Sequence, residues 1–268
     1  MNHNSVNQMM QRYWASANAA NARAIRKIAS GYRINSAADD AAGLAIARQM
    51  NAQVTGLSTA GRNAQDAVSM LQTADSVLGS VGEVVGRMNE LAMRASNGIL
   101  SGDDRQMLQQ EYNQLATEVD RIGQNTNFNG NRLFDDSSYT MQVGPSAEET
   151  MDITMGSISS ASLGLDQVDL TSAESAGRAV NTIKNATQII ASQRGEIGAS
   201  ENRLQHLMDN LSGSEVDLRQ SLSRIADADF STEAMNRSIS DALGLTTISM
   251  MKNASYLMSY NTMQLLMR

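Results

Sequence analysis

The sequence predicts a mainly α-helical fold, an elongated rod of long coiled-coil-like helices with a small β-hairpin region in the middle of the chain. Three observations predict it. The 268 residues contain one proline, Pro145, and only 4% aromatic side chains, so helix breakers and strand formers are both scarce. Apolar residues recur in steps of three and four over long stretches on either side of the middle. Turn-forming residues cluster between about residues 126 and 172, which leaves helical sections before and after.

The first helical run ends near Ile34. Ser36-Ala37-Ala38-Asp39 then reads as a capping box, with Ser36 accepting from the amide of Asp39 and a new helix beginning there. Asp39 and Asp40 place negative charge at the positive helix end. From Ala64 onward, Ala67, Leu71, Ala74, Leu78, Val81, Val85, Met88, Ala92 and Ala95 form a continuous seam. Val68, Val77, Val84 and Leu91 widen it into an apolar stripe. Asn97-Gly98 and Ser101-Gly102 interrupt the pattern. Leu108, Tyr112, Leu115, Val119 and Ile122 resume it on a second helix, antiparallel to the first because the connection is short. Asp103 and Asp104 suit the start of that helix.

In the middle, Asn129-Gly130 and the partly alternating Tyr139 to Val143 before Gly144-Pro145 predict one or two β-hairpins. The C-terminal section carries the most regular signal. Ala176, Ile183, Ile190, Ile197, Leu204, Leu211, Leu218 and Ile225 follow one another at heptad spacing. A helix over that stretch is about 75 Å long. Arg194, Glu201 and Glu215 at intervening seam positions argue for a bundle with a wet edge rather than a strict two-stranded coil.

Composition excludes several functions. A net charge of −7 and few aromatics argue against nucleic-acid binding, and Arg23, Arg26 and Lys27 read as a solvated helix face. There is no cysteine, so thiolate metal sites and disulfides are unavailable, and the two histidines, His3 and His206, lie far apart in sequence. Adjacent acids such as Asp103-Asp104 point apart on a helix, and no phosphate-binding glycine loop or nucleophile elbow occurs. No enzyme, cofactor or metal is expected. Met1 to Trp14 lack the apolar core of a cleavable signal, and no stretch approaches the roughly 18 apolar residues of a membrane span. If the protein leaves the cell, it is expected to do so without a cleavable signal peptide.

The extreme C-terminus joins Leu243, Leu245, Ile248, Met250, Met251, Leu257, Met263, Leu265 and Leu266 with very few charges. Apolar surface of that extent implies a partner, either the Met-containing N-terminus, other copies of the chain, or both. The expected subunit-packing residues are Met9, Met10, Ile25, Ile28, Leu243, Leu245, Leu257, Leu265 and Leu266.

The run from Ile28 to Ala47, containing Ser30-Gly31-Tyr32-Arg33-Ile34-Asn35-Ser36-Ala37, resembles the N-terminal signature of bacterial flagellins. The likeness continues through Arg62-Asn63-Ala64, Glu90-Leu91-Ala92 and Asn127-Phe128-Asn129-Gly130. It returns at Ser223 to Phe230 and Leu265 to Arg268. Met9, Met10, Tyr13, Trp14 and the Met- and Tyr-rich tail depart from the usual pattern.

The resemblance implies a structural subunit that self-assembles into the flagellar filament used for motility, in a short form without the variable outer domains. It implies that residues 1–35 and 212–268 pair as the inner-core domain, with 36–211 forming the outer helical part. Disorder of the ends in the monomer would delay assembly until export. The implied partners are other copies of the chain, an export chaperone on the C-terminal segment, junction and cap proteins, and an innate immune receptor contacting Arg87, Leu91 and Glu111. Alternatives are a hook-filament junction protein and a secreted helical effector or adhesin.

Overall fold

The computed structural model describes residues 3–267, without the side chains of His3, Asn4, Met258, Asn261, Thr262, Gln264, Leu265 and Leu266. Within these residues the order is α1 (His3–Ser30), α2 (Ala41–Ala95), α3 (Gly102–Asn125), β1 (Asn127–Phe128), β2 (Asn131–Arg132), β3 (Ser138–Gln142), β4 (Thr150–Thr154), α4 (Ala173–Ala226) and α5 (Phe230–Leu266). Two compact units are present. One comprises residues 1–54 and 216–268, and the other residues 55–215.

In the unit of residues 55–215, every seam position from Ala64 to Ala95 is fully buried, as the three-and-four spacing predicts. Tyr112 and Val119 bring α3 onto this core. The helices run antiparallel: Arg87 reaches Glu111, while Arg105 donates to the carbonyl of Ala95, eight residues further along α2. Ser101 and Asp104 cap α3 reciprocally, a capping box that supplements the acidic first turn.

The β region consists of two antiparallel hairpins. Phe128 pairs with Asn131 around Asn129-Gly130, where φ is 50° and 85°, the left-handed region such a tight turn requires. Strand β3 pairs with β4 from Ser138 opposite Thr154 to Gln142 opposite Thr150. On β4, Met151 and Ile153 face the core while Thr150, Asp152 and Thr154 face out. The hairpin tip is seated on α2: Asn63 donates to the carbonyl of Gln142 at 2.9 Å, and a Cβ at Gly56 would stand 2.9 Å from the Cβ of Pro145.

Between β4 and α4 the chain has no regular ladder, so its backbone polar groups need side-chain partners. Helix α3 supplies them. Gln109 donates to the carbonyl of Val168 and accepts from the amide of Leu170, Tyr112 donates to the carbonyl of Leu165, and Asp120 accepts from the amide and hydroxyl of Ser160. At Gly123 the approach is so close that a Cβ would lie 1.9 Å from the carbonyl oxygen of Ile158.

The heptad register of α4 is visible as burial. Ala176, Ile183, Ile190, Ile197 and Leu204 are buried, whereas Leu211, Leu218 and Ile225 are half-buried. Arg194 leaves the seam edge to form a bidentate pair with Asp75 of α2 at 2.7 and 3.0 Å. That pair holds the Asp75 carboxyl below its ordinary value, chiefly through the guanidinium hydrogen bond.

Two expectations near the first turn need correction. Helix α1 stops at Ser30, not near Ile34, because Gly31 adopts φ 74° and its amide closes on the carbonyl of Lys27. The roles of Ser36 and Asp39 are also reversed. The Asp39 carboxylate accepts from the amides of Asn35 and Ser36 and from the Ser36 hydroxyl, which lowers its pKa, with the hydroxyl as the largest cause. Helix α2 begins at Ala41, where Asp40 accepts from the amide of Gly43 at 2.8 Å.

Candidate assembly interface

In the unit of residues 1–54 and 216–268, α1 and α5 pack along each other. They are antiparallel, since Lys27 pairs with Glu233 at 2.9 Å and Asn21 donates to Asp241. The turns that precede α2 and α5 close this unit at one end. Arg33 donates from its amide to the carbonyl of Ala226 at 2.7 Å and from its guanidinium to the carbonyl of Ile225 at 2.7 Å. Ala228 returns an amide to the carbonyl of Gly31, and Tyr32 and Asp227 form an isolated antiparallel bridge.

Asp229 then caps α5 by accepting from the amides of Ser231 and Thr232 and from the Thr232 hydroxyl. These bonds hold its carboxyl below the ordinary value, with the Thr232 amide as the largest cause. The two stretches singled out in the sequence, around residues 30–40 and 223–230, thus meet in one joint.

The face α5 turns toward α1 is small and polar. Glu233 and Ser240 are buried, and Gly244, Thr247, Met251 and Ala254 are half-buried, in steps of three, four and seven. From α1 the matching face presents Asn7, Met10, Ala17, Asn21, Ala24 and Ile28, of which Ala17 and Ala24 are buried.

Large apolar side chains lie on the other faces. On α5, Met235, Ile239, Leu243, Leu245, Ile248, Met250, Leu257, Tyr260 and Met263 are exposed, and at helical spacing they span more than half of its circumference. On α1, Val6, Met9, Tyr13, Trp14 and Ile25 are exposed. A helix whose exposed apolar side chains span more than half of its circumference requires burial on more than one side. Its single partner in the unit covers one side.

Among the expected packing residues, Met9, Ile25, Leu243, Leu245 and Leu257 are exposed on this surface. Met10 and Ile28 are half-buried against α5, and Met10 lines a cleft with Tyr13, Leu243 and Met250. The side chains of Leu265 and Leu266 lie outside the described residues. Tyr13, Trp14, Met235, Ile239 and Tyr260 were not among the expected residues. For Met235, Ile239 and Tyr260 the signal is the absence of one preferred apolar face on α5.

Of the expected receptor residues, Arg87 and Glu111 are exposed and bound to each other. The Arg87 guanidinium lies 2.8 Å from Glu111 and 2.9 Å from Glu90, and both carboxylates raise its pKa, Glu111 the more. Leu91 is a correction: it belongs to the α2 core and is fully buried, so it offers no side-chain surface to a partner.

Among the described residues no group of three or more His, Asp or Glu side chains could hold a metal ion, and no helix is long and apolar enough to cross a membrane.

Comparison with known proteins supports assembly. The family model described as the bacterial flagellin N-terminal helical region matches residues 1–139, and the one described as the bacterial flagellin C-terminal helical region matches residues 180–266. Flagellin of Halalkalibacterium halodurans is 37% identical over 237 residues, covering 87% of each chain. Flagellin of Listeria monocytogenes is 31% identical over 274 residues, covering 95% of each.

The crystal structure of Bacillus cereus flagellin aligns with a TM-score of 0.50 at 34% identity, covering 56% of this chain and 88% of that one. A putative flagellar hook-associated protein from Vibrio parahaemolyticus shares the fold, with a TM-score of 0.60 at 14% identity, covering 70% of this chain and all (100%) of the other.

Proposed function

Because this chain belongs to the bacterial flagellin family, we propose that the outward apolar faces of α1 and α5 are the surfaces through which its subunits pack. The chain is a structural subunit that self-assembles into the bacterial flagellar filament, the extracellular structure used for motility. The observation that carries the packing assignment is the exposure of Met9, Ile25, Leu243, Leu245 and Leu257 on a helix pair whose internal seam is small and polar. Two such faces on different sides of one pair permit heterologous contacts, which propagate into a filament where the rotation between subunits does not close.

Residues 1–35 with 212–268 form the inner, assembling part in this reading, and residues 36–211 the part that the inner helices carry. Polymerisation of the full chain beside a version lacking residues 1–35 and 230–268 tests the assignment. Filaments from the full chain alone support it, and filaments from the truncated chain exclude it.

The same exposed side chains of α5 need cover before assembly, and an export chaperone on the C-terminal segment would supply it. Junction and cap proteins would meet the unsatisfied faces at the two ends of a filament. Helix α1 is retained on secretion in this reading, since Met9 and Ile25 belong to the packing surface, and N-terminal sequencing of shed filaments tests that. For an innate immune receptor, the surface is the Arg87–Glu111 pair without Leu91. Charge reversal at Arg87 should weaken receptor binding, whereas unchanged binding would dismiss the site.

A further inference from the structure

We propose that the exposed thioethers of α1 and α5 are an oxidative modification site that decides whether a free subunit can enter a filament. The inference rests on the packing surface assigned above.

The methionines fall into separate environments. Met9 on α1 and Met235, Met250 and Met263 on α5 are 56–63% exposed on the outward faces of the helix pair, and Met267 at the α5 C-cap is 84% exposed. Met70, Met88, Met151 and Met155 are buried in the core of the other unit. Met93 and Met107 are exposed but stand on α2 and α3, away from the terminal helices in sequence and outside their unit. The core set is shielded from a dissolved oxidant, and the other two sets are open to it.

The reaction needs only a peroxide. The sulfur lone pair attacks one peroxide oxygen, an S–O bond forms as the O–O bond breaks, and a proton passes to the departing hydroxide to give water. Sulfur is oxidised by two electrons and the peroxide is reduced by two. The product replaces a flexible apolar group with a polar one that carries a strong hydrogen-bond acceptor.

Location makes this consequential. Met250 lines the cleft with Met10, Ala17, Ala20 and Leu243, where the lining is mostly apolar. The cleft hydroxyls of Ser16, Ser240, Thr246 and Thr247 already donate to backbone carbonyls, so a sulfoxide buried there on packing would lose its water and gain a donor only from the Tyr13 phenol or at the expense of one of those bonds. One helical turn from Met9 stand Val6 and Tyr13, from Met235 Ile239 and from Met263 Tyr260, so packing buries each sulfoxide against an apolar or aromatic side chain at a similar cost. Once packed, these side chains are covered, so susceptibility belongs to the subunit before assembly.

The test treats monomer with dilute hydrogen peroxide, maps sulfoxides by peptide mass spectrometry and measures the critical concentration for polymerisation. A variant with Met9, Met235, Met250, Met263 and Met267 all changed to Leu is treated in parallel. Treated wild type should carry sulfoxide at the five sites and at Met93 and Met107, with a critical concentration about tenfold higher or more. The Leu variant should polymerise as before treatment although Met93 and Met107 are oxidised.

Reduction of treated wild type with both methionine sulfoxide reductases should restore assembly, which keeps the test decisive if the variant itself assembles poorly. Peroxide added to finished filaments should leave the five sulfurs reduced. Normal polymerisation of fully oxidised wild type, or failure of reductase to restore it, would overturn the inference. Failure of untreated wild type to polymerise would remove the packing assignment and this inference with it.

Discussion

Lys27 of α1 and Glu233 of α5 form an ion pair at 2.9 Å, and Glu233 is among the few charged side chains buried between these helices. The pair fixes the register of a seam made mostly of small or polar side chains, with Met10, Ile28 and Met251 its larger apolar members, which supplies limited apolar area of its own. Limited internal packing and large outward apolar faces have one consequence under the proposed subunit packing: the terminal pair gains most of its stability from neighbours.

Removing one partner of that ion pair exposes the dependence. Lys27→Ala leaves the Glu233 carboxylate mostly shielded and unpaired, at a cost of about 1–3 kcal/mol. Circular dichroism of the monomer should show the terminal helices melting at lower temperature. Exchange of the two charges in a double variant should recover much of the loss.

Gly123 gives a sharper steric test. A methyl group there must displace the backbone carbonyl of Ile158, so Gly123→Ala should destabilise the unit of residues 55–215 by about 1–3 kcal/mol in urea unfolding. Gly86→Ala, also helical but with nothing within 4 Å, should instead stabilise it by up to about 1 kcal/mol.

The contrast between these glycines marks how much the sequence discloses. The α2 seam from Ala64 to Ala95 and the heptads of α4 up to Leu204 are legible because each buries one helical face against its own chain, so spacing and burial coincide. Gly123 and Tyr112 are not legible as an anchor, because their partners are backbone carbonyls of an irregular segment 35 and 53 residues away.

Exchange of roles between Ser36 and Asp39 was hidden for a local reason. The Ser-x-x-Asp pattern is the same whether Ser caps the following amide or Asp gathers the preceding ones. At the assembly interface, α5 is recognisable by composition, but its inward face is not, since the seam of Glu233, Ser240, Gly244 and Thr247 carries no apolar periodicity.

Tyr112 links packing to alkaline pH. Burial, with a smaller contribution from Asp166, raises its phenol above the ordinary value of 10.0. The unfolded chain therefore ionises first as pH climbs past 10, and stability present below that pH is lost above it. Tyr112→Phe should remove this part of the alkaline decline. At neutral pH it should cost about 1 kcal/mol through the lost hydrogen bond to Leu165.

Asp75 works in the opposite direction. Its carboxyl is depressed below 3.8 by Arg194, so the contribution of the pair is present above 3.8 and is lost as pH falls through the lower folded-state value. Both side chains are more than a third exposed, which limits the effect to under about 1 kcal/mol. Asp75→Asn should flatten this part of acid unfolding, and salt should weaken the wild-type contribution.

The most direct measurement is seeded polymerisation, by light scattering and electron microscopy, of wild type beside a variant with Leu243, Leu245 and Ile248 changed to Ser. Circular dichroism of both monomers provides the check on folding. Wild-type filaments with a helical variant that stays monomeric are the predicted result, whereas filaments of normal length and yield from the variant would contradict the assignment of the outward faces of α5 to subunit packing.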